Sequence, residues 1–198
     1  MNGTINITSR QKSIIVGKIL GDGCLETANG RTYRLKIEHA ESQKEYIDWQ
    51  YQELKSLLNS LPKEKSQLVK GKMYKKYWFQ TPYTSSLRFY AHLFYPRGKK
   101  VVPKFIHKWL TPLTLAVWFM DDGSVKSKEC QGKYLNTQGF DALSVKRLQG
   151  ALKHNFSIIT SLRKQKEGTQ IYIPAAEVEK LRDIAGKYII PSMRYKLD

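Results

Sequence analysis

Two apolar stretches that each end in Asp-Gly determine the fold of this chain: IIVGKILGDG at residues 14–23 and LTLAVWFMDDG at residues 113–123. Their acidic residues, Asp22 and Asp122, lie 100 positions apart. Each stretch is too continuously apolar for a helix on the surface, which is typical of a helix buried on most sides. Because such self-similarity marks duplicated units, we predict two related halves, each with one buried helix that ends in an aspartate.

The segments that follow the two stretches also correspond. After the first comes an alternating strand at residues 31–39, with Tyr33, Leu35 and Ile37 on one face; residues 133–138 form a similar strand in the second half. Each half then continues with a helix, a hairpin and a last helix: 43–58, 67–80 and 85–94, then 142–154, 158–173 and 176–188. The hairpin turns are predicted at Gly71 and Gly168. This order predicts an α+β fold in two halves, residues 1–102 and 103–198.

The charge balance points to a polyanionic partner. The 198 residues include 34 Lys and Arg against 17 Asp and Glu, a net charge of +17, which attracts nucleic acid or an anionic membrane. No apolar run approaches the ~20 residues that cross a bilayer. Residues 1–13 lack the apolar core of a signal peptide. Two cysteines are too few for a disulfide framework or a zinc site. We therefore expect an intracellular protein, in a bacterial cytoplasm or an organelle matrix, that is not secreted and has no membrane partner.

The two aspartates are the first candidate site. A carboxylate at the carboxyl end of a helix lies near the negative end of the helix dipole, which is unfavourable unless a cation compensates. If the two helices pack side by side, Asp22 and Asp122 meet, and oxygen ligands favour Mg²⁺ or Mn²⁺. A single Asp-Gly pair could simply be the turn that ends a helix. The repetition in both halves favours a metal site.

Basic residues supply the other candidate sites. Lys100 and Lys196 follow the last helix of each half, 78 and 74 residues after the respective aspartates, and could stabilise charge on a phosphate; as lysines, they could equally solvate a surface. Basic residues also crowd both hairpins, as in a β-ribbon that enters the major groove, although edge strands often carry charge to prevent aggregation. The predicted DNA contacts are Arg31, Arg34, Lys36, Lys70, Lys72, Lys76, Trp78, Lys133, Arg163, Gln165, Lys166 and Gln170.

The two helix ends resemble the LAGLIDADG motif of homing endonucleases, and the duplication resembles the single-chain, two-motif members. The first motif keeps Gly17, Ile19, Asp22 and Gly23, and the second keeps Leu115, Ala116, Asp122 and Gly123. Lys18 and Trp118 depart from the small or apolar residues usual at that position. LTPLTLAVWFMDDG (110–123), LNTQGF (135–140) and IPSMRYKL (190–197) resemble the I-SceI branch of the family.

This resemblance implies a fold and a set of roles. It implies αββαββα halves whose antiparallel sheets form a saddle over DNA. Asp22 and Asp122 would be the catalytic, metal-binding acids, with Gly21 and Asp121 as further metal ligands. Lys100 and Lys196 would be the basic residues of the active site, and Gln138 would be a polar neighbour that orders water. His39 is one candidate for the counterpart of Gln138 in the first half, which the resemblance leaves open.

The resemblance also implies an activity. A monomer would use Mg²⁺ to cut both strands of a long, non-palindromic duplex with 3′ overhangs, as intron-encoded enzymes do in intron homing. Mn²⁺ would substitute for Mg²⁺, and Ca²⁺ would support binding without cleavage. One alternative is an RNA maturase of the same fold, with host intron RNA as partner. A second is a non-enzymatic DNA-binding regulator, which the paired acids disfavour because they would repel phosphate without a metal.

Overall fold

The two buried helices begin in the same way in the computed structural model, which describes residues 5–127 and 130–198. Thr8 caps helix α1 (Ser9–Leu20), and Thr111 caps helix α4 (Pro112–Asp122), each through a side-chain oxygen that accepts a backbone N–H. The helices pack closely because Gly17 faces Val117: a Cβ on Gly17 would lie 2.7 Å from that of Val117. The predicted pair of buried helices is therefore confirmed.

Each half surrounds its buried helix with the same series of elements. The further elements of the first half are β1 (Cys24–Thr27), β2 (Tyr33–Ala40), α2 (Lys44–Leu54), β3 (Lys63–Val69), β4 (Lys72–Gln80) and α3 (Arg88–Phe94). Those of the second are β5 (Gly123–Ser127), β6 (Cys130–Leu135), α5 (Ala142–Phe156), β7 (Ser161–Gln165), β8 (Gly168–Ile173) and α6 (Ala175–Ala185). The antiparallel sheets have the matching orders β1-β2-β4-β3 and β5-β6-β8-β7. This is the expected αββαββα arrangement, repeated once.

One face of each sheet packs on the helices and the other is open. In the first sheet Leu35, Ile37 and Phe79 are buried, whereas the residues that alternate with them, such as Lys36 and Trp78, are partly exposed. In the second sheet Leu135, Ile171 and Ile173 are buried in the same way. We call the face opposite the helices the open face. It is the surface that each half can offer to a large ligand.

Several elements differ from the sequence predictions. Strands β1 and β5 were not predicted, because each is short and begins at or directly after the Gly of an Asp-Gly pair. Strand β6 ends at Leu135 rather than at 138, and Gly168 is the first residue of β8 rather than the turn itself. The first hairpin does turn at Gly71, where Lys70 and Gly71 both have positive φ, 47° and 78°.

The junction between the halves lies against the second half. The backbone N–H of Val102 donates to Ser144 Oγ on α5, and Arg147 donates to the Val102 carbonyl at 2.7 Å. The boundary between 102 and 103 stays a prediction.

Across the ranges 5–127 and 130–198, every helix is too short or too polar to span a bilayer.

Candidate active site and nucleic-acid interface

The two predicted acids lie at the same end of the helix pair. Asp22 follows Gly21, which caps α1, and Asp122 is the last residue of α4. Asp22 is exposed, whereas Asp122 is partly buried and accepts a hydrogen bond from Trp118 Nε1 at 3.2 Å. Burial, followed by the negative charges of Asp121 and Asp22, raises the pKa of Asp122 to about 7. Ionising Asp122 is therefore costly here unless a cation compensates for its burial and for the neighbouring carboxylates.

The two predicted lysines reach equivalent places beside these acids. Lys100 Nζ donates to the carbonyl of Gly21 at 2.8 Å, and Lys196 Nζ donates to the carbonyls of Asp121, at 3.0 Å, and Met120. Each lysine thus contacts the residue just before the aspartate of its own half. Burial lowers the pKa of both ammonium groups, and the nearby aspartates oppose that change. The structure therefore gathers both acids and both lysines at one edge of the helix pair.

Asp121, predicted as a metal ligand, has its carboxylate engaged within the protein. The side chain is fully buried, and Lys18 Nζ lies 2.8 Å from Oδ1 and 2.7 Å from Oδ2. Oδ2 also accepts the backbone N–H of Asp22 at 3.0 Å. Gly21 is needed for this approach, since a Cβ there would lie 2.3 Å from Oδ2. Only the carbonyl oxygens of Gly21 and Asp121 remain as potential ligands, and both accept from lysines.

Lys18 and His39 form a buried polar cluster that the sequence patterns did not predict. Lys18 Nζ lies 3.0 Å from His39 Nε2 and 5.3 Å from the centre of the Tyr46 ring. Burial and the charge of Lys18 lower the pKa of His39 to about 3, so the ring is neutral and Nε2 accepts from Lys18. His39 Nδ1 then donates to Gln43 at 2.9 Å. His39 lies on the buried face of β2, which does not support it as the counterpart of Gln138.

Gln138 lies in the turn after β6, and Asn136 is closer to the acid. The backbone N–H of Asn136 donates to the Asp122 carbonyl at 3.0 Å. Its side chain accepts from Gln170 at 2.7 Å and lies 3.5 Å from Ser124 Oγ on the open face. Within the described ranges, no hydrogen bond joins the Gln138 side chain to Asp122. The pairing of Gly123 with Leu135 places position 136 opposite the aspartate, which sequence alone did not specify.

The open face of the first sheet is strongly basic. Strand pairing places Lys36 opposite Gln80, Lys65 opposite Lys76 and Lys63 opposite Trp78, all on this face. Two acids also lie there: Glu26 pairs with Arg34 and Lys36, and Glu38 pairs with Lys65 and Lys76. The predicted contacts Arg34, Lys36, Lys72, Lys76 and Trp78 are on this face, while Arg31 and Lys70 are exposed in the turns beside it.

The open face of the second sheet carries polar, mostly neutral side chains. Arg163 is paired with Gln170 across β7 and β8, and its guanidinium lies 5.2 Å from the Tyr172 ring centre. Gln165 lies on the same face, and Lys166 is exposed in the turn. The prediction for Lys133 was wrong. Lys133 alternates with Tyr134, faces the core, is 0% exposed and donates to the Asp198 carbonyl.

Comparison with known proteins identifies related sequences over nearly the whole chain. The model of the LAGLIDADG DNA endonuclease family matches residues 12–181. The chain is 32% identical to the DNA endonuclease I-ChuI of Chlamydomonas applanata, over 98% of this chain and 96% of that one. It is also 36% identical to the cytochrome b mRNA maturase bI2 of Saccharomyces cerevisiae, over 93% of this chain but only 46% of the maturase.

Solved structures match the same architecture. The homing endonuclease I-WcaI, bound to its DNA recognition sequence, has a TM-score of 0.92 and 26% identity over 98% of this chain and 88% of that one. A structure of I-DmoI with DNA and Mn shares only the fold, at 15% identity and a TM-score of 0.52, over 91% and 97% of the two chains. The duplicated helices, paired acids and matched sequences agree. This chain belongs to the LAGLIDADG DNA endonuclease family.

Proposed function

We propose that this protein is a site-specific homing endonuclease that cuts both strands of a long, non-palindromic DNA site with Mg²⁺ and leaves 3′ overhangs. The observation that carries the proposal is the position of Asp22 and Asp122 at the same end of the packed helix pair, one from each half, with a lysine beside each. Two acids related by a duplicated fold suit two phosphates on opposite strands. Because one chain supplies both halves, we propose that it acts as a monomer on an asymmetric site.

The donor atoms at this edge fit a hard divalent cation. They are carboxylate and carbonyl oxygens, which Mg²⁺ and Mn²⁺ prefer. The raised pKa of Asp122 reflects its burial and then the charges of Asp121 and Asp22, both of which a bound cation would offset. In the part of the chain that the structure describes, no three His, Cys, Asp or Glu side chains are grouped to enclose a metal. Mg²⁺ commonly binds through one or two carboxylates together with phosphate oxygens and water. Bound there, the ion would polarise the scissile phosphate and make the attacking water more acidic.

The lysines would act on the phosphate rather than on the metal. Lys100 Nζ and Lys196 Nζ are held by main-chain carbonyls beside the acids, so each ammonium has donors left for a phosphate oxygen. There they would stabilise the charge that develops in the transition state. Trp118 would hold the Asp122 carboxylate by its Nε1–H. The protein needs no nucleophilic side chain in this scheme, because water is the nucleophile.

The open faces of the two sheets would bind the duplex on either side of the cut. Arg34, Lys36, Lys72 and Lys76 in the first sheet, and Arg163 and Gln170 in the second, would contact phosphates and base edges in the major groove. Lys133 is not part of this surface because it is buried. I-WcaI binds its site with the same fold, which supports this placement.

Cleavage selection from random duplexes tests the proposal and finds the target at the same time. Duplexes of random sequence are enriched by binding to the full chain in Ca²⁺, then incubated with Mg²⁺, Mn²⁺ or EDTA, and the cut ends are sequenced. We expect one asymmetric site, cut with 3′ overhangs in Mg²⁺ and Mn²⁺ only. Asp22→Asn and Asp122→Asn should bind in Ca²⁺ but make no double-strand break, whereas Asp183→Asn, an exposed acid on α6, should cut normally. Unimpaired cutting by either active-site variant would remove the assignment.

A second candidate function is that of an RNA maturase, favoured by the 36% identity to cytochrome b mRNA maturase bI2. The acids and lysines retained in both halves favour the nuclease, since splicing assistance does not require them. Incubation with intron precursor RNA, in parallel with the selected DNA, separates the two functions. Stimulated splicing without DNA cleavage would favour the maturase.

A further inference from the structure

The Asp121 carboxylate connects the two halves at the site of the proposed chemistry. It belongs to α4, yet it accepts from Lys18 on α1 and from the backbone N–H of Asp22 just beyond α1. Lys18 Nζ donates to Asp121 Oδ1, lies 2.7 Å from Asp121 Oδ2 in the same ion pair, and lies 3.0 Å from His39 Nε2. The buried charges are therefore paired with each other and hydrogen-bonded, which a buried charge pair requires.

The arrangement is asymmetric between the halves. Lys18 and Trp118 occupy the same position of the two duplicated helices, four residues before each catalytic aspartate. Trp118 bonds directly to the Asp122 carboxylate, whereas Lys18 acts through Asp121 on the backbone of Asp22. Asp22 itself is exposed. The backbone bond to Asp121 is thus the described contact that fixes Asp22 to the second half.

We propose that Asp121 is a positioning residue: neutralised by Lys18, its carboxylate anchors the Asp22 backbone and so sets the first catalytic carboxylate relative to the second. This inference rests on the proposed nuclease function. It requires an acceptor at position 121 aimed at the Asp22 N–H, and it requires Lys18 only because a buried carboxylate needs a counter-charge. Gly21 is needed for the same contact between Asp121 and Asp22, since any Cβ at position 21 would displace the Asp121 side chain.

Two matched double variants separate positioning from structural support. Lys18→Met/Asp121→Asn and Lys18→Met/Asp121→Leu both remove the charge pair and keep similar volumes, but only asparagine offers an oxygen to the Asp22 N–H. Single variants are less informative, because either one leaves a buried charge unpaired, which is strongly destabilising. The full chain and its selected DNA site are used for each variant.

We expect the asparagine variant to cut both strands near the wild-type rate. The leucine variant should cut the strand nearest Asp22 about 100-fold more slowly, the scale of loss for a displacement on the order of 1 Å, and the other strand much less. DNA affinity in Ca²⁺ should match between the two. Without metal or DNA, hydrogen exchange at the Asp22 amide should accelerate in the leucine variant alone.

Each other result contradicts the proposal in a recognisable way. Equal strand-resolved rates and equal Asp22 exchange in the two variants, in a protein that cuts DNA, would overturn the positioning role alone. Loss of Ca²⁺-supported binding and of cooperative melting in the leucine variant only would make Asp121 a purely structural residue. If the wild-type protein cut no duplex in Mg²⁺ or Mn²⁺, the nuclease proposal would fall and this inference with it.

Discussion

The open faces of the two sheets differ in charge although the sheets share one topology. The first combines several cations with two acids that pair with them, as in Glu38 with Lys65 and Lys76. The second joins neutral groups, such as Asn136 with Gln170, and among the described side chains of β6–β8 Arg163 is the cation on its open face. Lysine contacts to phosphate add affinity without regard to sequence, whereas Arg, Asn and Gln side chains can also read base edges by directed hydrogen bonds. We infer that the first half contributes more of the affinity for DNA and that the second half contributes more of the recognition of base sequence.

The two acids proposed to be catalytic differ as well. Asp22 is exposed and is fixed through its backbone, whereas Asp122 is partly buried and is fixed through its carboxylate by Trp118. The two halves therefore hold their proposed catalytic acids by different contacts. We therefore expect the halves to respond alike to some substitutions and differently to others.

The largest effect should be the same in both halves. Lys100→Met and Lys196→Met each remove a donor aimed at the site, and loss of one such donor commonly slows chemistry by about 100- to 1000-fold. Single-turnover nicking assays on each strand should show that each variant chiefly slows one strand. If both variants slowed the same strand, the assignment of one lysine to each half would be wrong.

DNA affinity should then separate the halves. Lys63→Ala/Lys72→Ala on the first sheet should lower the affinity in Ca²⁺ and reduce the slope of log K against log salt by about 0.9 for each phosphate that is no longer neutralised. Lys146→Ala/Lys153→Ala on α5 removes the same charge from the helical side and serves as the control. Arg163→Ala on the second sheet should change sequence preference more than the slope. A larger change in the salt slope from Arg163→Ala than from Lys63→Ala/Lys72→Ala would contradict the inference that the first half contributes more of the affinity.

The acids should differ in their effect on stability without metal. The pKa of Asp122 rises from 3.8 to about 7 on folding, so its contribution is favourable below pH 4 and is lost as the pH rises to 7. A pKa difference of one between the folded and unfolded states corresponds to about 1.4 kcal/mol. Asp122→Asn should therefore raise the Tm in EDTA at pH 8, whereas Asp22→Asn, which replaces an exposed carboxylate, should change it less. An unchanged Tm for Asp122→Asn would mean that the acids are not crowded.

The smallest effect should come from Lys133. Because this buried lysine donates to Asp198, Lys133→Met should change the free energy of unfolding by about 1 kcal/mol and leave the salt slope unchanged. Lys36→Met, on the open face of the first sheet, should reduce the slope instead. Equal slopes for the two variants would place Lys36 outside the interface.

Much of this fold can be predicted from the sequence because the duplication repeats each sequence pattern in both halves. The apolar runs at 14–23 and 113–123 predicted both buried helices. The spacing from Asp22 to Lys100 and from Asp122 to Lys196 predicted a lysine beside each acid. Strands β1 and β5 could not be predicted, since a short, partly exposed strand has too few residues to show an alternating apolar pattern. Lys133 was assigned to the wrong face because basic composition does not report the direction of a side chain in a strand.

The coupling between the halves was harder to predict. A lysine at the buried position 18 requires a buried partner, and the second motif has an extra acid, Asp121, where the first has Gly21. Those two departures from symmetry complement each other, but the link is visible only once the helices are packed. The nearness of Asn136 rather than Gln138 to Asp122 likewise depends on strand register, which the sequence does not specify.

Anomalous scattering from Mn²⁺ in crystals of the protein with its selected DNA would show whether the two acids hold a metal between the halves. We expect Mn²⁺ there, bonded to carboxylate oxygens of both Asp22 and Asp122 and to phosphate oxygens, with the Asp121 carboxylate still on Lys18. Mn²⁺ bound away from this pair, or bonded to the Asp121 side chain in place of Asp22, would contradict this expectation.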